Sequence, residues 1–203
     1  MLQGCTEAGA DFYIKNKCSG CLEDNSFKEV VFEENKIFFN MLGRRSEIAT
    51  NRFDMDEEIE VSFDVEFGRG FDSNVKVVIA QLIDWQRGCF EGGNFQIQVV
   101  DGLLFLVARN WGETRELYIK PQDLGLNKLD EEKLSVRIEF LPSQEEGFLT
   151  VSFTNDDVTK TYKLISDART HVNCPLGPYF KTGIYGTPKS IGLIIKNLEI
   201  VKR

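Results

Sequence analysis

Tyr179, Lys181 and Tyr185 stand at alternate positions of the run Tyr179-Phe180-Lys181-Thr182-Gly183-Ile184-Tyr185-Gly186. In a strand, alternation carries all three onto one face together with Gly183. Two phenols and an ammonium can hydrogen-bond hydroxyls, stack on sugar faces and neutralise an anion, and a glycine leaves room for close approach to the backbone. That chemistry suits a grip on an anionic, hydroxyl-rich polymer. Tyrosine and lysine are equally at home on the solvated face of an antiparallel sheet, so the row alone supports either a binding face or plain solvation.

Two other segments set polar groups among apolar neighbours. Gly43-Arg44-Arg45-Ser46-Glu47-Ile48 offers a guanidinium fork that can hold a carboxylate through two hydrogen bonds, with Glu47 two residues on to orient it. In a regular strand Arg44 and Arg45 point to opposite faces, so at most one serves the same surface. Val78-Ile79-Ala80-Gln81-Leu82-Ile83-Asp84-Trp85 places Gln81 between Ile79 and Ile83, where an amide on an apolar face needs a partner and a ligand is one candidate. Trp85 is read either as a sugar-stacking ring or as a cap on the sheet, and Trp111 as a stacking ring or a loop anchor.

The elements that must position these groups are strands. Ile59 to Phe67 alternates apolar and polar residues without a break, and Phe95 to Val99 does likewise before Asp101-Gly102, a strong type I′ hairpin signal, leads into Leu103 to Val107. A second hairpin is expected to join Leu134–Phe140 to Phe148–Phe153, and Asn155-Asp156-Asp157 begins the next turn. Lys28 to Phe39 reads as a strand pair. Only Lys120 to Glu132 supports so much as a short surface helix or turn. The expected fold is all-β, a jelly-roll sandwich of two antiparallel sheets, with residues 1–25 an irregular N-terminal segment and 26–203 one domain.

The segments around Arg45, Gln81 and Tyr179 resemble, in order, the three signature regions of the jelly-roll polysaccharide lyases, the alginate lyases and the related heparin- and glucuronan-lyase-like proteins. Those signatures run roughly R-S/T-E-L-R, Q-x-H and Y-F-K-x-G-x-Y. The resemblance covers the chain from about Arg44 onward, including Gly177-Pro178 and the closing run Leu193 to Ile200. It implies a concanavalin-A-like jelly roll with a groove for a uronate-containing glycan, cleaved by β-elimination. In that scheme Arg45 and Gln81 neutralise the substrate carboxylate, Tyr185 protonates the departing oxygen, and Lys181, Tyr179, Glu47 and Trp85 hold substrate. Lys181 beside Tyr185 is expected to favour the phenolate.

The sequence also departs from that pattern. Ile83 stands where the lyases carry their histidine, and an aliphatic chain moves no proton. The one histidine of the chain, His171, lies in a loop-like stretch before Tyr179. Ile48-Ala49 replaces the end of the first signature, and Gly186 follows Tyr185. Three readings follow: a lyase in which Tyr185 is both base and acid, a catalytically degenerate carbohydrate-binding module, and a structural surface protein.

Composition narrows the classes. The 203 residues carry 24 basic and 32 acidic side chains, a formal net charge of -8, so neither nucleic acid nor an anionic membrane surface is an expected partner. A polyanionic glycan then needs a locally basic groove, for which Arg44, Arg45, Arg87, Arg109 and Lys181 are the candidates. One His excludes metal sites built of several imidazoles, and no cofactor is required by the residues. No EF-hand spacing occurs. No apolar run of about 18 residues is present, so no membrane span is expected. Leu2-Gln3-Gly4-Cys5 resembles a lipoprotein processing box, which would make Cys5 a lipid anchor of an exported protein at the cell surface, periplasmic or extracellular. Lipidation would also leave the other four of the five cysteines even in number. Among those, Cys18-Ser19-Gly20-Cys21 has the spacing of a local disulfide or a free thiol pair, and Cys89 and Cys174 lie in segments that could meet.

Overall fold

The computed structural model describes residues 3–5, 11–16, 30–33, 35–41, 45–72, 74–83, 95–110, 113–156, 158–168, 177–186 and 191–203. The strands are β1 (Gln3–Cys5), β2 (Asp11–Asn16), β3 (Val30–Glu33), β4 (Lys36–Met41), β5 (Arg45–Arg52), β6 (Ile59–Phe67), β7 (Lys76–Ile83), β8 (Phe95–Val100), β9 (Leu103–Asn110), β10 (Glu113–Ile119), β11 (Lys133–Leu141), β12 (Gly147–Asn155), β13 (Val158–Ala168), β14 (Tyr179–Gly186) and β15 (Ile191–Lys202). They form an eight-stranded sheet in the order β1-β2-β5-β14-β7-β8-β9-β10 and a seven-stranded sheet in the order β13-β12-β11-β6-β15-β4-β3, every pairing antiparallel. The fold is a concanavalin-A-like jelly-roll sandwich.

The chain crosses between sheets repeatedly, and its last two strands slot into gaps left earlier: β14 between β5 and β7, β15 between β4 and β6. Between the sheets lies a core in which Phe39, Phe63, Phe95, Phe140, Phe153 and Phe180 meet aliphatic residues from both sides. Phe63 of β6 and Phe180 of β14 touch across the layers with ring centroids 6.0 Å apart. Stiff aromatic and β-branched chains fill such a flat interlayer space well.

Two strands fall within the segment expected to be irregular. Phe12-Tyr13-Ile14 of β2 has the composition of a strand, and β2 pairs with β5 through Phe12↔Thr50 and Ile14↔Ile48, extending the sheet. Among the described residues the Lys120 to Glu132 stretch holds only a 3-10 turn, Pro121–Leu124, closed by Gly125 at φ 75°. The Asp-Gly hairpin forms as expected, Asp101 and Gly102 taking φ 49° and 80°. A Cβ on Gly102 would sit 2.8 Å from the Asp72 carbonyl oxygen, so this turn needs glycine on two counts.

The two sheets treat solvent differently. On the seven-stranded sheet β6 and β11 bury alternate residues and wet the others. On the eight-stranded sheet β7 and β14 are buried over nearly their whole length, on both faces. The outer face of those two strands carries the residues singled out above.

Candidate functional site

The three segments that are far apart in sequence become neighbouring strands, β5, β14 and β7, in that order. Tyr185 lies directly opposite Arg45 on β5, and Lys181 lies opposite Gln81 on β7. Phe180 and Ile184 enter the core, so Tyr179, Lys181 and Tyr185 share the outer face as alternation requires. The backbone of Arg45 places it on this face as well, two residues from Glu47. Trp85, Trp111, Arg44, Arg87, His171 and Cys18, Cys21, Cys89 and Cys174 lie outside the described residues. Cys5 ends β1, opposite Asp11.

Glu47 is the hub of the site. Its Oε1 accepts a hydrogen bond from Gln81 Nε2 at 2.6 Å, reaching across β14, and its Oε2 lies 3.9 Å from Lys181 Nζ. All three side chains are buried. Gln81 therefore has a partner inside the chain, in place of the ligand that its position between two isoleucines invited. The register between β7 and β8 slips at Ile79, so Ile79 and Ala80 both turn to the core and Gln81 shares the outer face with Val78 and Ile83.

Lys181 is likewise turned away from the role of charging Tyr185. Its ammonium faces Glu47 and sits 5.5 Å from the centroid of the Tyr179 ring, whose other cation neighbour is the Arg52 guanidinium at 5.3 Å. Tyr185 lies four positions further along β14 than Lys181, roughly 13 Å of backbone. Arg52 is held by a hydrogen bond from Nη1 to the Gly177 carbonyl oxygen at 2.9 Å.

Ile83, which the signature resemblance aligned with a histidine, packs with Ala49 and Tyr179 in a small cluster separate from the main core. Ile83 itself moves no proton.

Gly183 has another reason to be glycine than room for a ligand. At φ 135°, a Cβ on it would collide with the Ser46 carbonyl oxygen and lie 2.7 Å from Glu47 Cα and 3.0 Å from the Phe39 ring. The glycine lets β14 approach β5 closely, directly opposite Glu47. Buried threonines fasten the irregular places on either side. Thr182 Oγ1 donates to the carbonyl of bulged Ile79 at 2.9 Å, and Thr50 Oγ1 accepts from Phe180 N at 3.0 Å where β5 carries its extra residue.

Sequence reasoning missed the far side of this face. Phe105 of β9 and Tyr118 of β10 are directly opposite and stack with centroids 4.1 Å apart and planes 15° from parallel. Tyr118 is 56% exposed and Tyr185 38%. The signal for Tyr118 was its alternation with Leu117 and Ile119, but Phe105 is hidden in a continuous apolar run that shows no facing.

On the opposite surface, a depression of about 490 Å³ lies over Asp64, Ser135, Arg137 and Thr154. Arg137 there bonds Glu60 and Glu139 at 2.9 and 3.0 Å, and Asp64 accepts from Ser135 and Asn197 at 2.5 and 2.6 Å. Among the described residues no three His, Cys, Asp or Glu side chains converge as metal ligands, and no helix is long and apolar enough to cross a membrane.

No known family profile matches the chain, and no curated protein sequence does. Solved structures do resemble it. The binding domain of botulinum neurotoxin serotype D superposes with a TM-score of 0.60 at 14% identity, over 96% of this chain and 44% of that one. The serotype G binding domain gives 0.59 at 12%, over 97% and 44%. A family 7 alginate lyase in complex with substrate gives 0.55 at 12%, over 82% of this chain and 77% of the lyase. The chain thus spans under half the length of the toxin domains. At these identities the likeness is one of fold, a jelly roll found in binding domains and in a lyase.

Proposed function

We propose that the outer face of the eight-stranded sheet recognises an acidic polysaccharide as a binding surface. The observation that carries this reading is the packing of Ile83 against Ala49 and Tyr179, which sets an aliphatic side chain where the lyase signature has its histidine. The Glu47 network points the same way, because Gln81 and Lys181 are turned toward a carboxylate of the chain itself. Tyr185 supplies an exposed ring for a sugar face, and Arg45 across from it would hold a uronate carboxylate. The lyase and the toxin binding domains share the fold, so it is compatible with either use. A face of this kind belongs on an exported protein, in the periplasm or at the cell surface, with Cys5 as its lipid anchor if the N-terminal run is processed.

One observation favours β-elimination as a second reading: the exposed Tyr185 is the direct cross-strand neighbour of Arg45. With the carboxylate held by Arg45, a Tyr185 phenolate would take the proton from the adjoining carbon. The freed electron pair would form the ring double bond as the glycosidic bond breaks, and the same phenol would return the proton to the leaving oxygen.

Titration calorimetry against a panel of polyuronates, with ultraviolet absorbance followed for the unsaturated product, separates the readings. Binding without absorbance is the expected result. Absorbance that disappears in Tyr185→Phe establishes the lyase, and absence of both binding and product overturns both.

A further inference from the structure

Strand registers align six outer-face residues into one line that crosses the sheet. Arg45 pairs with Tyr185, Tyr185 with Val78, Val78 with Gln98, Gln98 with Phe105, and Phe105 with Tyr118. The line runs perpendicular to the strands. Four interstrand steps of about 4.8 Å put Tyr118 roughly 19 Å from Tyr185. Exposure along it is 38% at Tyr185, then 8%, 9% and 7% at Val78, Gln98 and Phe105, then 56% at Tyr118. Two exposed phenols therefore stand at the ends of a low floor.

The floor is chemically even. Val78 and Phe105 are apolar, and Gln98 has its amide fixed by a hydrogen bond from Nε2 to Gln96 Oε1 at 2.6 Å. At the far end one face of the Tyr118 ring is covered by Phe105, which holds the ring in place and leaves its exposed side toward solvent. A ring pre-set in this way stacks on the flat C–H face of a pyranose without first losing rotamer freedom.

We infer that Tyr118, backed by Phe105, is a distal sugar-stacking subsite, and that a linear glycan lies across the strands from Arg45 and Tyr185 to Tyr118. This rests on the glycan-binding reading above and adds to it the direction of the chain and a minimum length. An oligosaccharide too short to span the line engages one end only, whereas a longer one engages both and gains the effective concentration of a tethered second contact.

The test is a length series of oligouronates titrated into the wild-type protein, Tyr118→Ala, Tyr118→Phe and Tyr185→Ala, with circular dichroism and thermal melting confirming that each is folded. Wild-type affinity should rise with length until the line is spanned. Tyr118→Ala should weaken the long oligomers several-fold to about tenfold and leave the short ones as they are, while Tyr118→Phe retains wild-type affinity. Equal binding of long oligomers by Tyr118→Ala and wild type overturns the distal subsite and leaves the binding reading standing. Equal weakening at every length overturns it too, since the ring would then belong to a single compact site. A wild-type protein that binds no oligouronate of any length overturns the binding reading and this inference with it.

Discussion

Glu47 shows how a single carboxylate can decide what its neighbours are available to do. It draws the Gln81 amide to 2.6 Å and faces the Lys181 ammonium at 3.9 Å, so two groups expected to meet a substrate are turned inward. Removing one member of a buried ion pair strands the other charge, whereas replacing both with hydrocarbon removes the desolvation cost along with the attraction. Glu47→Ala should therefore cost about 3–5 kcal/mol in urea denaturation, and the double change Glu47→Leu with Lys181→Met should recover most of that loss. If the single and double variants are equally unstable, the pair is not what holds these strands. The three segments that supplied Arg45, Gln81 and Tyr185 as candidates could be read from residue type and order. The inward engagement of Gln81 could not, because nothing in a sequence states that two side chains reach each other over an intervening strand.

At the scale of elements, β14 is held by close fit as much as by ladder hydrogen bonds. Gly183→Ala would place a methyl group against the Ser46 carbonyl and force an L residue to φ 135°. A loss of at least about 1–3 kcal/mol is expected, read as a lowered urea midpoint with unchanged slope. A neutral result would mean that β5 and β14 can separate without penalty. Strand limits were well marked in the sequence where one face is wet: the alternation of Ile59 to Phe67 matches β6 residue for residue. Alternation fades in β7, where a bulge turns two successive residues inward and all but the first residue is buried. The line from Tyr185 to Tyr118 was invisible for a related reason. It is a product of register, and register depends on slips at Ile79 and Gly183 that local composition does not announce.

For the whole molecule, charge sets two dependences. The first is on pH. Burial pushes the Glu66 carboxyl up, but hydrogen bonds from Lys196 and Lys133, with their charges, outweigh it and leave the group below its ordinary value. Its stabilisation is thus present above the unfolded-state pKa and lost as pH falls through the lowered folded value. Lys202 runs the other way: its hydrogen bond to Glu57, opposed by burial and aided by the Glu57 and Asp54 charges, raises it. That contribution is full below the ordinary lysine value and lost as pH rises through the raised one. Burial, with the Asp123 charge, raises Tyr162 and adds to the same alkaline limb. Urea midpoints measured against pH should fall at both extremes, with Glu66→Gln flattening only the acid side and Lys202→Met only the alkaline side. The second dependence is on salt. A formal charge of -8 repels a polyanion at long range, while stacking at Tyr185 and Tyr118 is insensitive to ions. Polyuronate affinity should therefore hold steady or rise modestly from low to physiological salt, and a steep fall would show that cations dominate the contact.

The slotting of β14 between β5 and β7 also governs how the protein is made. The Thr50–Phe180 hydrogen bonds close a loop of 130 residues, and the strand that completes the sheet is made after both of the strands it joins. Such non-local pairing places folding in the slow range of milliseconds to seconds. Until Tyr179–Gly186 emerges, β5 and β7 present bare, hydrophobic edges with nothing between them, the kind of edge that recruits strands from other chains. The stretch that completes the face proposed to recognise a glycan is thus also the plug that ends a nascent chain's exposure to aggregation. A chain halted before residue 179 is expected to be found in the insoluble fraction, whatever its remaining strands could form.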